Sequence, residues 1–179
     1  MTYFVKFPPF LLLADFFRPA GDNKVGAISK KYRKAEKMND TVKLLRECNA
    51  GVKMGKSALE KLLPKARSST LRSVLSESKS AHAELGDKAH ALLLRHGADT
   101  KDPHPIAKVM SDAKIALKMS MNEGDKTIAD LMTDGANMGV KSLSKYLNQY
   151  KSASPEAKDI TRKIIDSELS LGEKMRSFL

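Results

Sequence analysis

NAGVK at residues 49–53 returns as NMGVK at residues 137–141, 88 positions later. Each copy places a glycine inside a stretch that otherwise reads as helix, where Gly costs about 1 kcal/mol against Ala. Incurring that cost twice in matching places suggests helices that approach closely. The flanks repeat as well. SSTLRSVLSESKSAHAELGDKAHALL, from Ser68, aligns without gaps to SPEAKDITRKIIDSELSLGEKMRSFL, from Ser154, at an offset of 86. That alignment pairs Ser68 with Ser154, and Leu85-Gly86-Asp87-Lys88 with Leu171-Gly172-Glu173-Lys174. Two matches at nearly one offset read as a duplicated helical hairpin.

Each half of the duplicate carries helix punctuation. Asn39 or Asp40 can cap a first helix, A, whose apolar positions Val42, Leu45, Val52, Leu59 and Leu62 recur at helical spacing until Pro64. Helix B is capped by Ser68, carries Leu71, Val74, Leu75, Leu85, Ala89 and Leu92, and ends at His96-Gly97. After Pro103 and Pro105 a shorter amphipathic helix runs through Ile106, Val109, Met110, Ala113, Leu117 and Met121, until Asn122 to Asp125 break it. Helix C carries Ile128, Leu131, Met132, Met138, Tyr146 and Tyr150. Helix D starts at Ser154-Pro155-Glu156 and runs through Ile160, Ile164, Leu171, Met175 and Phe178 to the end.

These lengths predict a topology. The loops at 64–68 and 151–155 are too short to return along a 25-residue helix of about 37 Å, so A/B and C/D form antiparallel hairpins. The link from B to C is long, and its own helix rises about 25 Å, enough to cross most of a bundle. The reading is all-α: a ferritin-like antiparallel four-helix bundle with a crossover helix between the second and third bundle helices. Gly51, Gly55 and Ala58 then give helix A a groove of small residues, and Gly139 repeats the first of them in helix C. Close backbone approach at the pseudo-twofold centre accounts for these glycines.

Composition agrees with a helical domain. The chain has 179 residues, 6% aromatics, no Trp and nine Met, which suits one domain with a real core. Cys48 is the single cysteine, so an internal disulfide and a Cys/His zinc site are both excluded. A reduced, cytoplasmic setting follows as the default. The net charge is +11, of which residues 1–37 hold eight Lys/Arg against three Asp/Glu. A basic balance raises nucleic acid or an anionic surface as partner, but the two signs interleave along the helices and no recognition motif accompanies them.

The segment MTYFVKFPPFLLLADFFRPAG has an apolar run preceded by Pro8-Pro9 and interrupted by Asp15, far shorter than the roughly 20 residues of a membrane span. It is also a poor signal peptide, with only Lys6 before the run. Residues 1–37 therefore read as an N-terminal extension, disordered or not native, with Met38 as the natural start and residues 38–179 as the domain.

Residues 40–179, through the two NxGVK segments, the crossover HPIAKVMSDAKIALKMS and the SAHAELG stretch, resemble an uncharacterised bacterial ferritin-like domain family, distantly similar to rubrerythrin-type bundles. The resemblance implies a four-helix bundle plus crossover and brings no agreed activity. It does raise a di-iron or di-manganese centre, in which two helices each supply a Glu and the other two each supply a Glu-x-x-His. The Glu positions it implies fall on Gly51 and Gly139. The Glu-x-x-His positions fall on Lys79 with His82, and on Ile165 with Glu168. One His remains in place, another has become a carboxylate, and a cationic Lys79 opposes divalent metal.

The candidate centre is therefore polar rather than metallic. His82 shares a face with Leu75, Ser78 and Leu85, and Glu168 shares one with Ile164 and Leu171, so the two are expected to approach each other, because a buried carboxylate needs a partner. Asn49 and Asn137 are candidates for a buried amide pair that fixes register. Cys48 reads as a small buried hydrophobe, and Met110, Met119, Met121, Met132 and Met138 as core filler. No phosphate loop, dinucleotide fingerprint, HExxH or Ser-His-Asp order is present. The expectation is a non-enzymatic bundle that has lost its di-metal site and serves as a structural or interaction module, with no cofactor and no catalytic residue, forming a homo-oligomer (dimer) or binding another protein. The alternatives are a di-iron or di-manganese oxidoreductase or metal store with atypical ligands, using carboxylates such as Glu47, Glu77, Asp130 or Asp134, and a basic nucleic-acid or anionic-surface binder.

Overall fold

Serine hydroxyls and prolines set the helix starts. Ser68 Oγ accepts the amide hydrogen of Leu71 at 3.4 Å, and Ser154 Oγ accepts that of Ala157 at 3.2 Å with Pro155 in the first turn. The computed structural model describes the backbone of residues 23–99, 102–103 and 105–179 and, outside residues 23–39, 105 and 106, their side chains. The described residues contain five α-helices and no strand: α1 (Asn23–Leu62), α2 (Ser69–Arg95), α3 (Pro105–Met121), α4 (Asp125–Gln149) and α5 (Pro155–Met175). Short 3-10 turns follow at Leu63–Lys65, where Pro64 stops α1, and at Arg176–Phe178. Gly97, at φ +65°, supplies the left-handed residue that closes α2.

One expectation about helix A is corrected. α1 runs through Asn39 and Asp40 instead of starting there. Asp40 instead uses its carboxylate to accept the amide of Ser152 at 3.1 Å, ahead of α5. Of the expected N-terminal extension, residues 1–22 lie outside the described residues, and Asn23 onward belongs to α1.

Residues 36–179 pack as one unit, and its contacts give the helix directions. Gly55 lies against His82 and Val52 against Gly86, so α1 and α2 run antiparallel. Gly139 lies against Glu168 and Ala136 against Gly172, so α4 and α5 do too. Thr41 Oγ1 accepts the Ser154 amide at 2.8 Å and Cys48 Sγ meets Thr161 Oγ1 at 3.1 Å, which makes α1 and α5 parallel. Two apolar clusters hold the helices together. One gathers Leu59, Leu62, Leu71, Leu75, Ile128, Met132, Leu171 and Met175. The other gathers Leu44, Leu45, Cys48, Val52, Leu93, Leu143, Ile160 and Ile164.

The contacts recur at fixed spacings. Thr41 against Ser154 is matched by Asp125, whose carboxylate accepts the amides of Arg67 and Ser68 at 2.7 and 2.8 Å. Val52 against Gly86 is matched by Ala136 against Gly172, and Gly55 against His82 by Gly139 against Glu168. Every α2/α5 match is 86 apart, as aligned, but every α1/α4 match is 84 apart rather than 88. NAGVK and NMGVK are thus one helical turn out of step with the packing, and Gly55, not Gly51, is the counterpart of Gly139.

α3 is also corrected. Ile115 and Met119 face inward, whereas Val109, Met110, Ala113, Leu117 and Met121 are exposed; Ile106 is among the residues whose side chains are not described. Its charged flanks are what attach it. Asp112 pairs with Lys61 of α1, Lys118 pairs with Asp130 of α4, and Lys114 pairs with Asp134 at 2.7 Å. Met110, Met121 and Met138 are accordingly surface residues rather than core filler, while Met119 and Met132 are buried.

Candidate functional site

On each of four helices one position falls between the stretches that feed the two apolar clusters: Gly55 on α1, His82 on α2, Gly139 on α4 and Glu168 on α5. The structure brings these four together. His82 is 2% exposed and Glu168 is 8% exposed, and His82 Nε2 lies 3.1 Å from Glu168 Oε1. The other ring nitrogen, Nδ1, lies 2.9 Å from the Ser78 carbonyl oxygen. A carbonyl can only accept, so Nδ1 carries a proton, and a carboxylate partner then requires that Nε2 carry one as well. With His82 doubly protonated, the pair is an imidazolium facing a carboxylate.

Space for the pair comes from the two glycines. A Cβ on Gly55 would lie 2.6 Å from His82 Nε2 and 2.7 Å from its Cδ2, and a Cβ on Gly139 would lie 3.1 Å from Glu168 Cδ. Side chains at these positions would occupy the volume that the pair fills.

Burial alone would pull the His82 pKa down, but the hydrogen bond and negative charge from Glu168, with the Ser78 carbonyl, outweigh it and hold the value above 6.5. The sign for stability follows. A raised folded value means the stabilisation is fully present below about pH 6.5 and is lost as pH rises through the folded value. The thermal midpoint of the wild type is therefore expected to fall as pH rises above about 6.5, relative to that of a His82→Leu/Glu168→Leu double variant. A difference between the two proteins that stays constant with pH would contradict the assignment.

The remaining sequence candidates lie elsewhere. Asn49 is buried, but Asn137 is exposed, so the amide pair does not form and Asn49 Oδ1 has no hydrogen-bond partner among the described residues. The one-turn offset explains this, because Asn137 matches Asn49 only at the spacing of 88. Lys79 is half-exposed and pairs with Glu60 at 3.7 Å, away from the centre. Gly51 is exposed, and a Cβ placed on it would meet nothing within 4 Å, so it provides no close packing. Gly86, not singled out from sequence, does, since its Cβ would lie 2.9 Å from Val52 Cγ1; its recurrence in LGDK and LGEK was the available signal.

The polar groups that meet at this centre are His82 and Glu168. Among the described residues no three His, Cys, Asp or Glu side chains gather as a metal ion would require. Glu77 is bound to Lys174 at 3.1 Å, and Asp130 and Asp134 to Lys118 and Lys114, all at the surface. Burial pushes the Cys48 thiol up to about 12, and because Thr161 Oγ1 already donates to the Ala157 carbonyl, the thiol donates to Thr161. A protonated, enclosed thiol is a poor nucleophile.

No family model matches the chain, and neither does any curated protein. The chain is similar to a solved structure, the crystal structure of a DUF305 fragment from Deinococcus radiodurans, at 18% identity and a TM-score of 0.63, over 77% of this chain and 93% of that one. The likeness is one of fold, to a domain of unknown function, and carries no residue roles. Some basic side chains on the surface sit beside acids, as in Lys163 with Asp159 at 2.7 Å and Lys88 with Glu84 at 2.5 Å. Among the described residues no helix is long and apolar enough to cross a membrane.

Proposed function

We propose that this chain is a non-enzymatic, ferritin-like four-helix bundle, built as a duplicated hairpin, that serves as a structural or protein-interaction module. The contacts repeating at spacings of 84 and 86 support the duplication. Parallel α1/α5 and antiparallel α1/α2 and α4/α5 are the directions that a single long crossover produces, with α3 in the place of that crossover.

The carrying observation is what stands at the bundle centre. A carboxylate-bridged metal pair needs a Glu from each of two helices and Glu-x-x-His from the others. At the inward positions here, α1 and α4 have Gly55 and Gly139, and α2 and α5 have His82 and Glu168, which satisfy each other. An ion pair that fills the cavity and uses both imidazole nitrogens replaces the function of a metal in holding the helices in register.

Elemental analysis tests this reading. The full chain, exposed anaerobically to Fe²⁺ and Mn²⁺ and then desalted, is expected to retain only traces. Retention of about two ions per chain would mean a dinuclear site with other ligands and would overturn the proposal.

A further inference from the structure

The outward face of α3 breaks the usual pattern of a surface helix. Val109, Met110, Ala113, Ala116, Leu117 and Met121 are all exposed, with Val109, Met110 and Met121 at 67, 67 and 79% and Leu117 at 62%. At 100° per residue they span an arc of roughly 140° that includes no charge. Such a face on a chain that is 30% charged is an interaction surface in want of an occupant. We propose that a second copy of this chain covers it, with the two α3 helices packed antiparallel.

Two observations favour a like partner. The charges bordering the arc are already neutralised within the chain, Asp112 by Lys61, Lys114 by Asp134 and Lys118 by Asp130, so a second copy meets no ring of like charge, and an acidic or anionic partner finds few open cations. Antiparallel packing centred near residue 115 sets Leu117 over Ala113 and Met121 over Val109, large against small, in both directions.

The surface can be sized. A 17-residue helix presents about 25 Å by 10 Å, roughly 250 Å² per copy, well short of the about 800 Å² per partner of a stable interface. Met138 extends it. The pairs Lys118–Asp130 and Lys114–Asp134 step antiparallel along α3 and α4, and the next step sets Met138, itself 64% exposed, beside Met110. So small a contact places the dimer at the weak, transient end of protein association. This names a partner for the module reading, but association and metal content are separate measurements, so either can fail alone.

Sedimentation of the full chain from about 1 to 200 μM tests the proposal, with a monomer-to-dimer shift expected across that range. Leu117→Lys should raise the dissociation constant at least about tenfold, with the helical circular dichroism unchanged, because the residue is exposed. Leu94→Lys, at an equally exposed apolar position on α2, should leave it unchanged. A monomer at every concentration, a dimer indifferent to Leu117→Lys, or equal weakening by Leu94→Lys would overturn the proposal. So would a monomer that sediments with anionic vesicles, since that would give the face to a membrane.

Discussion

His82→Leu alone is expected to destabilise the protein by about 3–5 kcal/mol at neutral pH, whereas His82→Leu/Glu168→Leu should return to within about 1–2 kcal/mol of the wild type. The single variant leaves Glu168 buried between two apolar clusters with its proton donor gone, and an uncompensated buried charge is among the most costly defects a core can hold. The double variant removes both charges together with the desolvation that each demanded. Chemical denaturation of the two single variants and the double variant gives the coupling energy directly. Losses that simply add across the cycle would show that His82 and Glu168 do not act as a pair.

Gly55→Ala and Gly51→Ala should move stability in opposite directions, although the two glycines stand one turn apart on α1. At Gly55 the new methyl would lie 2.6 Å from a histidine ring that cannot withdraw, because Ser78 holds one nitrogen and Glu168 the other. A loss of about 2–4 kcal/mol is expected, from overpacking together with partial loss of the pair. At Gly51 nothing lies within 4 Å, so alanine should bring its helix propensity, a gain of about 0.5–1 kcal/mol. Thermal unfolding of the two variants separates them, and a destabilising Gly51→Ala would mean that the assigned register of α1 is wrong.

What can be read from the sequence is what local chemistry decides. The Ser68 and Ser154 caps, the stop at Pro64 and the turn at Gly97 depend on a few neighbouring residues, and each is legible. The approach of His82 and Glu168 is legible for a different reason: both sit on apolar faces at matching places in an ungapped alignment, and a buried carboxylate needs a donor. Register between α1 and α4 is not legible. The resemblance of NAGVK to NMGVK is one of residue identity, while packing follows the buried faces, and those recur at 84 rather than 88. That single turn misplaces Gly51 and pairs Asn49 with an exposed Asn137.

α3 departs from its sequence reading for a more general reason. An apolar stripe at helical spacing states that one face avoids water, but not what covers it. The stripe through Met110 and Leu117 reads as core because a lone chain offers no other cover, yet ion pairs on both flanks of α3 turn it outward. The continuation of α1 through Asp40 is similar, since a capping residue is recognisable in sequence while the backbone it will cap is not.

Nitrogen NMR of the His82 ring, before and after addition of Mn²⁺, tests the central claim that an ion pair closes the centre of the fold. Both ring nitrogens are predicted to be protonated at about pH 6, below the raised folded value of His82, and their signals should be neither shifted nor broadened by the paramagnetic ion. A bare ring nitrogen whose signal disappears when Mn²⁺ is added would show that the histidine is a metal ligand, and would contradict the account.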